Sequence, residues 1–450
     1  MERRYFNSRI GVILASVGSA VGLGNVWRFP MEAGRGGGAA FILLYLLFVI
    51  VLAMPVMCAE FVVGRAGRAN AADSFKRLAP GGNWQVAGYM GIIAGFIIFS
   101  YYIVVASWTL YYTVESLQGT LLEGHDYEMF FSDFSSSTWH PLMYLVIFLL
   151  ANTVVVASGV QKGIERCSKW LMPVLFVILL SLALFSLTLP GAARGVRFLL
   201  QPDFSRLSAK TVLSAMGQAF FSLSVGIGCL GTYASYFRNE INLVKSSFVI
   251  CLMDTLVAVV SGFIIFPVVF TIGARVDAGP GLVFISLPHV FNAVFGSVPM
   301  VSYVFSGLFY ILLLVAALTS AISLQEMVTA LVHEKMSLSR RNAAFCVGAA
   351  SLVCGVACSL SFGIWSDRLF LGMTFFSFCD FITAKFMMPI GGMCFCLFVS
   401  RVMKRTAVEG ELLGEHPSHF SRVTVSVVYA LIRYVAPICL LCVFFFGLLD

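Results

Sequence analysis

Apolar stretches, each long enough to cross a bilayer as a helix, recur along the whole of this 450-residue chain. Inside hydrocarbon every backbone amide and carbonyl must be bonded within the protein, which leaves helices and closed barrels as the spanning structures. About eleven spans are expected, over residues 8–34, 37–64, 86–117, 140–158, 165–189, 212–238, 241–272, 298–333, 342–363, 370–400 and 421–448. Composition agrees: 59% of residues are hydrophobic and 11% are charged, against about 25% charged in soluble globular chains. The polar segments around 117–140, 190–210 and 401–421 are too short for a second, soluble domain. The expectation is an all-α, polytopic membrane protein built as one domain over 1–450. Several runs exceed the bilayer thickness and must tilt, break or project into water. Residues 273–295, with Asp277, Gly279, Pro280, Gly281 and Pro288, are too polar to span and read as an outer loop with short helical pieces.

The formal charge of +7 is placed as a membrane orientation signal, which argues against a nucleic-acid partner. Arg3, Arg4 and Arg9 precede the first span; Arg65, Arg68, Lys76 and Arg77 follow the second; Lys162, Arg166 and Lys169 follow the fourth. Lys335, Arg340 and Arg341 follow the eighth, and Arg401, Lys404 and Arg405 the tenth. All lie inside if the N-terminus is cytoplasmic and the C-terminus extracytoplasmic, in an inner or plasma membrane. The loop with Glu123, Asp126, Glu128 and Asp133 then lies outside, while Arg194, Arg197, Arg206 and Lys210 run against the rule. The 12 cysteines are scattered through apolar runs. Buried free cysteine behaves as a small hydrophobe, so neither a metal centre nor a cofactor is expected. No cleavable signal peptide is expected either.

Two spans are interrupted in matching fashion. The first holds Gly18-Ser-Ala-Val-Gly-Leu-Gly-Asn25 and the sixth Phe221-Ser-Leu-Ser-Val-Gly-Ile-Gly228. Each helix-interior glycine costs about 1 kcal/mol relative to alanine. The interrupted spans stand five apart, as expected if 8–189 and 212–400 are inverted repeats, with 421–448 an added helix. Close helix packing would explain isolated glycines, but not polar residues in corresponding stretches of both halves. Paired interruptions of this kind mark transporter binding sites. Unwound backbone offers amides to an anion and carbonyls to a cation, so one break can hold both ends of a zwitterion. Ionisable residues inside spans mark function by default; they are Arg28, Glu60, Asp254, Asp380, Lys385 and Arg433. Asp254 sits mid-span, where a bound Na⁺ or hydroxyl hydrogen bonds would compensate it. Lys385 and Arg433 can snorkel and carry no assigned role. Thr319, Ser320 and Tyr102 are not decisive alone, since helical hydroxyls commonly bond back to the preceding turn.

Further motifs are Arg9-Ile-Gly11, the first break continued through Val-Trp-Arg28-Phe-Pro30, Gly36-Gly-Gly38, Glu60, Gly64-Arg65, Tyr101-Tyr102, Ser107-Trp108, Gly217-Gln-Ala-Phe-Phe221-Ser-Leu-Ser224, Thr232-Tyr-Ala-Ser-Tyr236 and Leu318-Thr-Ser320. In these the chain resembles the neurotransmitter:sodium symporter family, and its eleven spans resemble the bacterial amino-acid branch. The resemblance implies one sodium held by Gly18, Val21, Ala316, Thr319 and Ser320. It implies a second held by Ala20, Asn25, Ser222, Asp254 and the substrate carboxylate. Leu23, Gly24 and Tyr102 would bind that carboxylate, and Ala20, Phe221 and Ser222 the amine. Gly22, where monoamine members carry an acid, implies a substrate that brings its own carboxylate. Ile98, Ile227, Ala321 and Leu324, edged by Ser19 and Ser224, would form an apolar side-chain pocket. Asp254 replaces the commoner Asn and would itself supply the negative charge that chloride supplies elsewhere. Arg28 with Asp380 and Gln218 would form an outer gate above Tyr102 and Phe221. Arg3 with Glu334, beside Phe6, Ser235 and Tyr236, would form an inner gate. Gly163 and Pro173 match a spacing associated with unwinding of the fifth span. The resulting expectation is a sodium-coupled importer of a hydrophobic or aromatic amino acid, chloride-independent, and not an enzyme. A proton-coupled transporter of the same fold and an amino-acid sensor are the alternatives.

Overall fold

A computed structural model describes residues 6, 8–122, 126–272, 282–295, 298–414 and 419–447. The described residues are mostly helical; a lone bridge between Phe370 and Met373 is the one β pairing among them, with no named strand. Among the described residues, nine helices are long and apolar enough to cross a membrane: Ala39–Gly67, Gln85–Gln118, Trp139–Ala157, Val160–Ser186, Leu243–Thr271, Pro299–Lys335, Arg340–Leu360, Phe375–Val402 and Arg422–Gly447. Arg9–Ala20 and Gly24–Arg35 form one further span bent by 56°. The expected sixth span appears as two pieces, Ala209–Ser222 and Cys229–Ala234, each too short to cross alone. The spans are numbered here one to eleven in chain order.

Helix ends follow local chemistry. Ser8, Asn70, Asp126, Ser208, Ser339 and Thr374 each cap a helix by accepting from a first-turn amide. Gly119, at φ +83°, ends span three in the left-handed conformation that glycine adopts without strain. Pro299 opens span eight where its missing N–H would have no partner. Spans two and three lie at the centre, with 67% of their apolar windows buried, whereas span eleven, at 28%, is peripheral and presents Val423, Val427 and Tyr434 outward. Span three packs along span eight, and span one is enclosed by spans five, seven and eight.

The loops hold more helix than composition suggested: Tyr127–Ser136, Ala192–Leu200 and Arg405–Leu413 lie in the three polar segments. Residues 273–281 lie outside the described residues. Leu282–Ser286 and Leu287–Phe295 are helical and seated inward, where Val283 and Phe284 carbonyls accept from Tyr310 at 2.9 Å and Tyr112 at 2.7 Å. On the opposite side, Asp73 accepts from Lys335 at 2.7 Å and Asn70 at 2.8 Å, tying the short helix Ala71–Leu78 to span eight.

Candidate functional site: the two facing breaks

Both breaks are real departures from helix. Span one stops at Ala20; Val21 is extended at φ −66° and ψ 116°, and the chain re-enters through a π-turn at Gly24–Arg28. Span six stops at Ser222, and Ser224, Gly226 and Gly228 follow at φ +52°, +97° and +82°. Glycine takes such angles freely, while a serine there is held by its surroundings. The Glu60 carboxylate of span two stabilises this second break. It accepts from the Gly226 amide at 2.5 Å and the Gly231 amide at 3.3 Å, facing the N-terminal end of the short helix beyond.

Span seven closes the first polar cluster. Asn25 donates through its amide to Asp254 Oδ1 at 2.7 Å, to the Asp254 carbonyl at 3.1 Å and to Ser222 Oγ at 3.0 Å. Ser222 donates to Asp254 Oδ2 at 2.7 Å, and the Gly22 amide donates to Asn25 Oδ1 at 3.0 Å. Asp254 is fully buried, and Asn25 and Ser222 nearly so. The structure thus brings together Asn25, Ser222 and Asp254, with Ala20 buried at the same break. It adds Tyr45 of span two, whose hydroxyl lies 3.4 Å from Asp254 Oδ2 and 3.5 Å from Ser222 Oγ. Sequence reading missed Tyr45 because a tyrosine in an apolar helix looks like ordinary core. A carboxylate, an amide oxygen and a hydroxyl, all hard oxygen donors and all buried, suit an alkali cation.

The second cluster joins spans one and eight. Ser320 donates to the Val21 carbonyl at 2.8 Å and approaches the Gly18 carbonyl at 3.4 Å. Thr319 donates to Val315 and Ala316 carbonyls, both at 3.1 Å. Gly18, Val21, Ala316, Thr319 and Ser320 are all buried, and a methyl group on Gly18 would stand 3.2 Å from Thr319 Cβ. Between the clusters lies Gly22. A methyl there would stand 2.7 Å from Ser320 Oγ and 3.2 Å from the Tyr102 hydroxyl, so the main chain itself faces those two side chains. The Tyr102 hydroxyl is buried with no hydrogen-bond partner among the described residues.

Of the apolar pocket residues, Ile98, Ile227, Ala321 and Leu324 are all buried. Span three reaches the second break at Gly91, where a methyl would lie 2.4 Å from the Ile227 carbonyl. Ser19 is buried at 3.6 Å from Cys229 Sγ, and Ser224 turns back with its amide on the Phe221 carbonyl at 3.0 Å. Leu23 is buried, and a methyl on Gly24 would only touch the Phe221 ring at 3.5 Å.

The gate residues are brought together only in part. The Arg28 guanidinium lies 4.0 Å over the Phe221 ring and makes no ion pair with Asp380; both are half-buried. Gln218 reaches the Gly24 carbonyl at 3.5 Å, and its Oε1 is buried without a partner. On the other side Phe6 is 2% exposed and packs edge-on against Tyr233 and Tyr236, with its amide 3.3 Å from the Tyr236 carbonyl. Arg3 lies outside the described residues. Glu334 accepts from the Asn70 amide and side chain at 3.0 and 2.8 Å. Tyr236 donates instead to Glu326 at 2.8 Å, and Glu326 is also paired with Arg340. Glu326 is an intramembrane carboxylate within span eight, so the signal that singled out Asp254 was present there too. Ser235 is fully buried beside Tyr236. Gly163 lies in a π-turn, Val160–Glu165, that opens span five, and Pro173 lies inside the helix that follows.

The chain as a whole has close relatives. The family model described as the sodium:neurotransmitter symporter family matches residues 3–130 and 130–450. An uncharacterised sodium-dependent transporter of Bacillus subtilis, YhdH, is 37% identical over 441 residues, covering 97% of this chain and 96% of the relative. An uncharacterised sodium-dependent transporter of Haemophilus influenzae is 33% identical over 459 residues, covering 98% of each. The crystal structure of MhsT in complex with L-phenylalanine matches with a TM-score of 0.89 at 40% identity, covering 99% of this chain and 100% of that one.

Proposed function

The chain belongs to the sodium:neurotransmitter symporter family, sodium-coupled membrane transporters, and from that premise we propose that it imports a zwitterionic, hydrophobic or aromatic amino acid. The observation that carries this reading is the place of Gly22 between the two oxygen clusters, its amide on Asn25 Oδ1 and its α-carbon facing Ser320 and the buried Tyr102 hydroxyl. Asn25, Ser222, Asp254 and Ala20 would hold one sodium, completed by the substrate carboxylate. Gly18, Val21, Ala316, Thr319 and Ser320 would hold the other. The Tyr102 hydroxyl and the Leu23–Gly24 amides would take the carboxylate, and the Ala20, Phe221 and Ser222 carbonyls the amine. Ile98, Ile227, Ala321 and Leu324 would take an apolar side chain. The solved relative holding L-phenylalanine supports that substrate class.

Sharing a ligand makes each partner raise the other's affinity, as linkage requires. A membrane potential of ~100 mV contributes about 2.3 kcal/mol for each sodium charge carried inward. Two sodiums would concentrate a zwitterion on the order of a thousandfold before any sodium gradient is counted. Alternating access would expose the site first outward, with Arg28 and Asp380 closing over Phe221, then inward, as Phe6 and its aromatic neighbours part. Asp254 supplies a fixed negative charge beside the first sodium, which makes transport independent of chloride. The chain would lie in the inner membrane with a cytoplasmic N-terminus and an extracytoplasmic C-terminus, its halves 8–189 and 212–400 related as inverted repeats.

The test is uptake of radiolabelled phenylalanine, leucine and related amino acids into proteoliposomes under an inward sodium or potassium gradient, with and without chloride. Accumulation with sodium alone, unchanged when gluconate replaces chloride, is expected. Uptake driven by a pH gradient without sodium would overturn sodium coupling. Sodium-dependent binding without accumulation would point to a sensor.

A further inference from the structure

In the orientation proposed above, Arg194, Arg197, Arg206 and Lys210 stand where the positive-inside rule expects few cations, with Asp203 the one acid of segment 190–210. Neither oxygen cluster uses them, nor does either gate. Arg194 and Arg197 belong to the helix Ala192–Leu200, which runs down the end of span seven. Its N-cap Gly191 donates through its amide to Thr271 Oγ1 at 3.0 Å. A methyl on Gly195 would stand 2.7 Å from the Pro267 nitrogen, and one on Gly262 would stand 3.1 Å from Leu199 Cδ2. Phe198 sets its ring 4.8 Å from that of Phe266 and 5.6 Å from that of Phe270. Successive residues of this helix therefore meet successively deeper residues of span seven, and the two run antiparallel.

Span seven, Leu243–Thr271, has 29 residues. At 1.5 Å per residue it is about 43 Å long, against about 30 Å of hydrocarbon, which leaves roughly four residues at each end for the headgroup layer. Gly191 then lies among the headgroups, Gly195 at their lower edge and Leu199 in the acyl region. The exposed face of the helix follows the same gradient. Ala192, Gly195 and Leu199 are buried, whereas Arg194 and Arg197 are exposed, three residues apart and so neighbours on one face. Leu200, one turn deeper, is 64% exposed, and Phe204, in the 3₁₀ turn that follows, is 61% exposed. Among the described residues neither guanidinium makes an ion pair. A helix with one face on the protein and cations above apolar groups on the other has the build of an interfacial helix. Guanidinium groups bind phosphate through paired N–H donors, which matches a lipid headgroup at that height.

We propose that Arg194 and Arg197 form a binding site for an anionic phospholipid, with its phosphate on the two guanidinium groups and an acyl chain over Leu200 and Phe204. The lipid comes from the leaflet at the Thr271 end of span seven. It presses the helix Ala192–Leu200 onto span seven, which also carries Asp254. A zwitterionic lipid is the poorer ligand, because its own ammonium group meets the same two cations.

The experiment is native mass spectrometry of the delipidated full chain, titrated with phosphatidylglycerol or phosphatidylcholine of identical acyl chains, beside thermal melts of the same samples. The first phosphatidylglycerol should bind more tightly than phosphatidylcholine and raise the melting temperature further. The double variant Arg194→Gln, Arg197→Gln should weaken that binding about thirtyfold, about fivefold for each arginine, and leave phosphatidylcholine unchanged. Arg194→Lys with Arg197→Lys keeps the charge and should keep most of the preference, which separates lost charge from a misfolded helix. Arg401→Gln with Lys404→Gln removes equal charge from exposed residues at the opposite end of the spans and should leave the first phosphatidylglycerol in place. A preference untouched in the Arg194, Arg197 glutamine pair, or lost equally in the Arg401, Lys404 pair, overturns the site. An equal rise in melting temperature with glycerol phosphate, which has no acyl chain, overturns the lipid in favour of a soluble anion. Lipid binding is read without sodium or uptake, so failure of the symport reading leaves this result standing, and loss of the lipid preference leaves symport untouched.

Discussion

The buried Tyr102 hydroxyl has no well-formed hydrogen bond among the described residues, with Ser320 as its polar neighbour across Gly22, and an unmet buried polar group costs about 1–3 kcal/mol. Tyr102→Phe should therefore leave thermal stability unchanged or slightly raised, while substrate affinity in sodium falls about tenfold, one charge-assisted hydrogen bond's worth. Calorimetric titration beside a thermal melt checks both, and undiminished affinity would remove Tyr102 from the site. Gly22→Ala should act sterically, since its methyl would press on Ser320 Oγ at 2.7 Å; overpacking of about 1–3 kcal/mol implies a five- to hundredfold loss of substrate binding. Asp254→Asn removes the fixed charge beside Asn25 and Ser222, so sodium affinity should drop at least about tenfold. Sodium titration of binding reads that loss, and unaltered affinity would argue for a purely structural carboxyl. Asn25, Ser222 and Asp254 were legible in the sequence because polar groups stand out in apolar spans. Tyr45 was not, since half of its side chain is apolar. The hydrogen bond from Tyr236 to Glu326 was not, because it depends on helix rotation, which sequence spacing alone does not fix.

Helices in this protein are held at their interruptions by groups from elsewhere. Glu60 serves two amides of the second break, and Glu60→Gln should weaken both bonds and destabilise the fold by roughly 1.5–3 kcal/mol, read as a lower melting temperature in detergent. The short helix Ala71–Leu78 is tied down by Asp73. Burial alone would raise that carboxyl, but hydrogen bonds from Lys335 and Asn70 outweigh it and hold Asp73 below the usual aspartate range. A folded-state value below the unfolded one stabilises fully above the ordinary aspartate pKa and is lost as pH falls through the depressed value. Melts recorded as pH drops below about 4 should thus show the wild type losing its margin over Asp73→Asn. The span boundaries were legible to within a few residues, because the change from apolar to charged residues marks where each helix leaves the lipid. The π-turns at Val49–Ala53, Ile382–Met387 and Leu431–Val435 were not. They add a residue to a turn inside a helix that continues on both sides, and no residue type marks where the extra one is taken up.

For the molecule as a whole, the two halves are joined through the breaks more than through loops: Asn25 of span one reaches span seven, and Ser320 of span eight reaches Gly18 and Val21. Ions bound there should stabilise the assembled fold by about 2.7 kcal/mol at a hundred times their dissociation constant. A melting temperature that rises with sodium, rises again with added amino acid, and ignores potassium is the expected result. Equal shifts with both cations would reduce the effect to ionic strength. The pairing of the halves was legible because each carries its own glycine cluster. The gate conformation, with Arg28 over Phe221 and Phe6 tucked under Tyr236, was not, because one sequence serves every state of the cycle. The close fit around Gly22 has a longer-range meaning. Most of the groups that would meet the invariant part of any amino acid are peptide atoms of the breaks; no point mutation deletes a peptide carbonyl, and only proline removes a peptide N–H. On the proposed reading, the side chains at Ile98, Ile227, Ala321 and Leu324 would vary without touching that recognition. Such a design lets evolution change the diet of the transporter while its engine stays fixed.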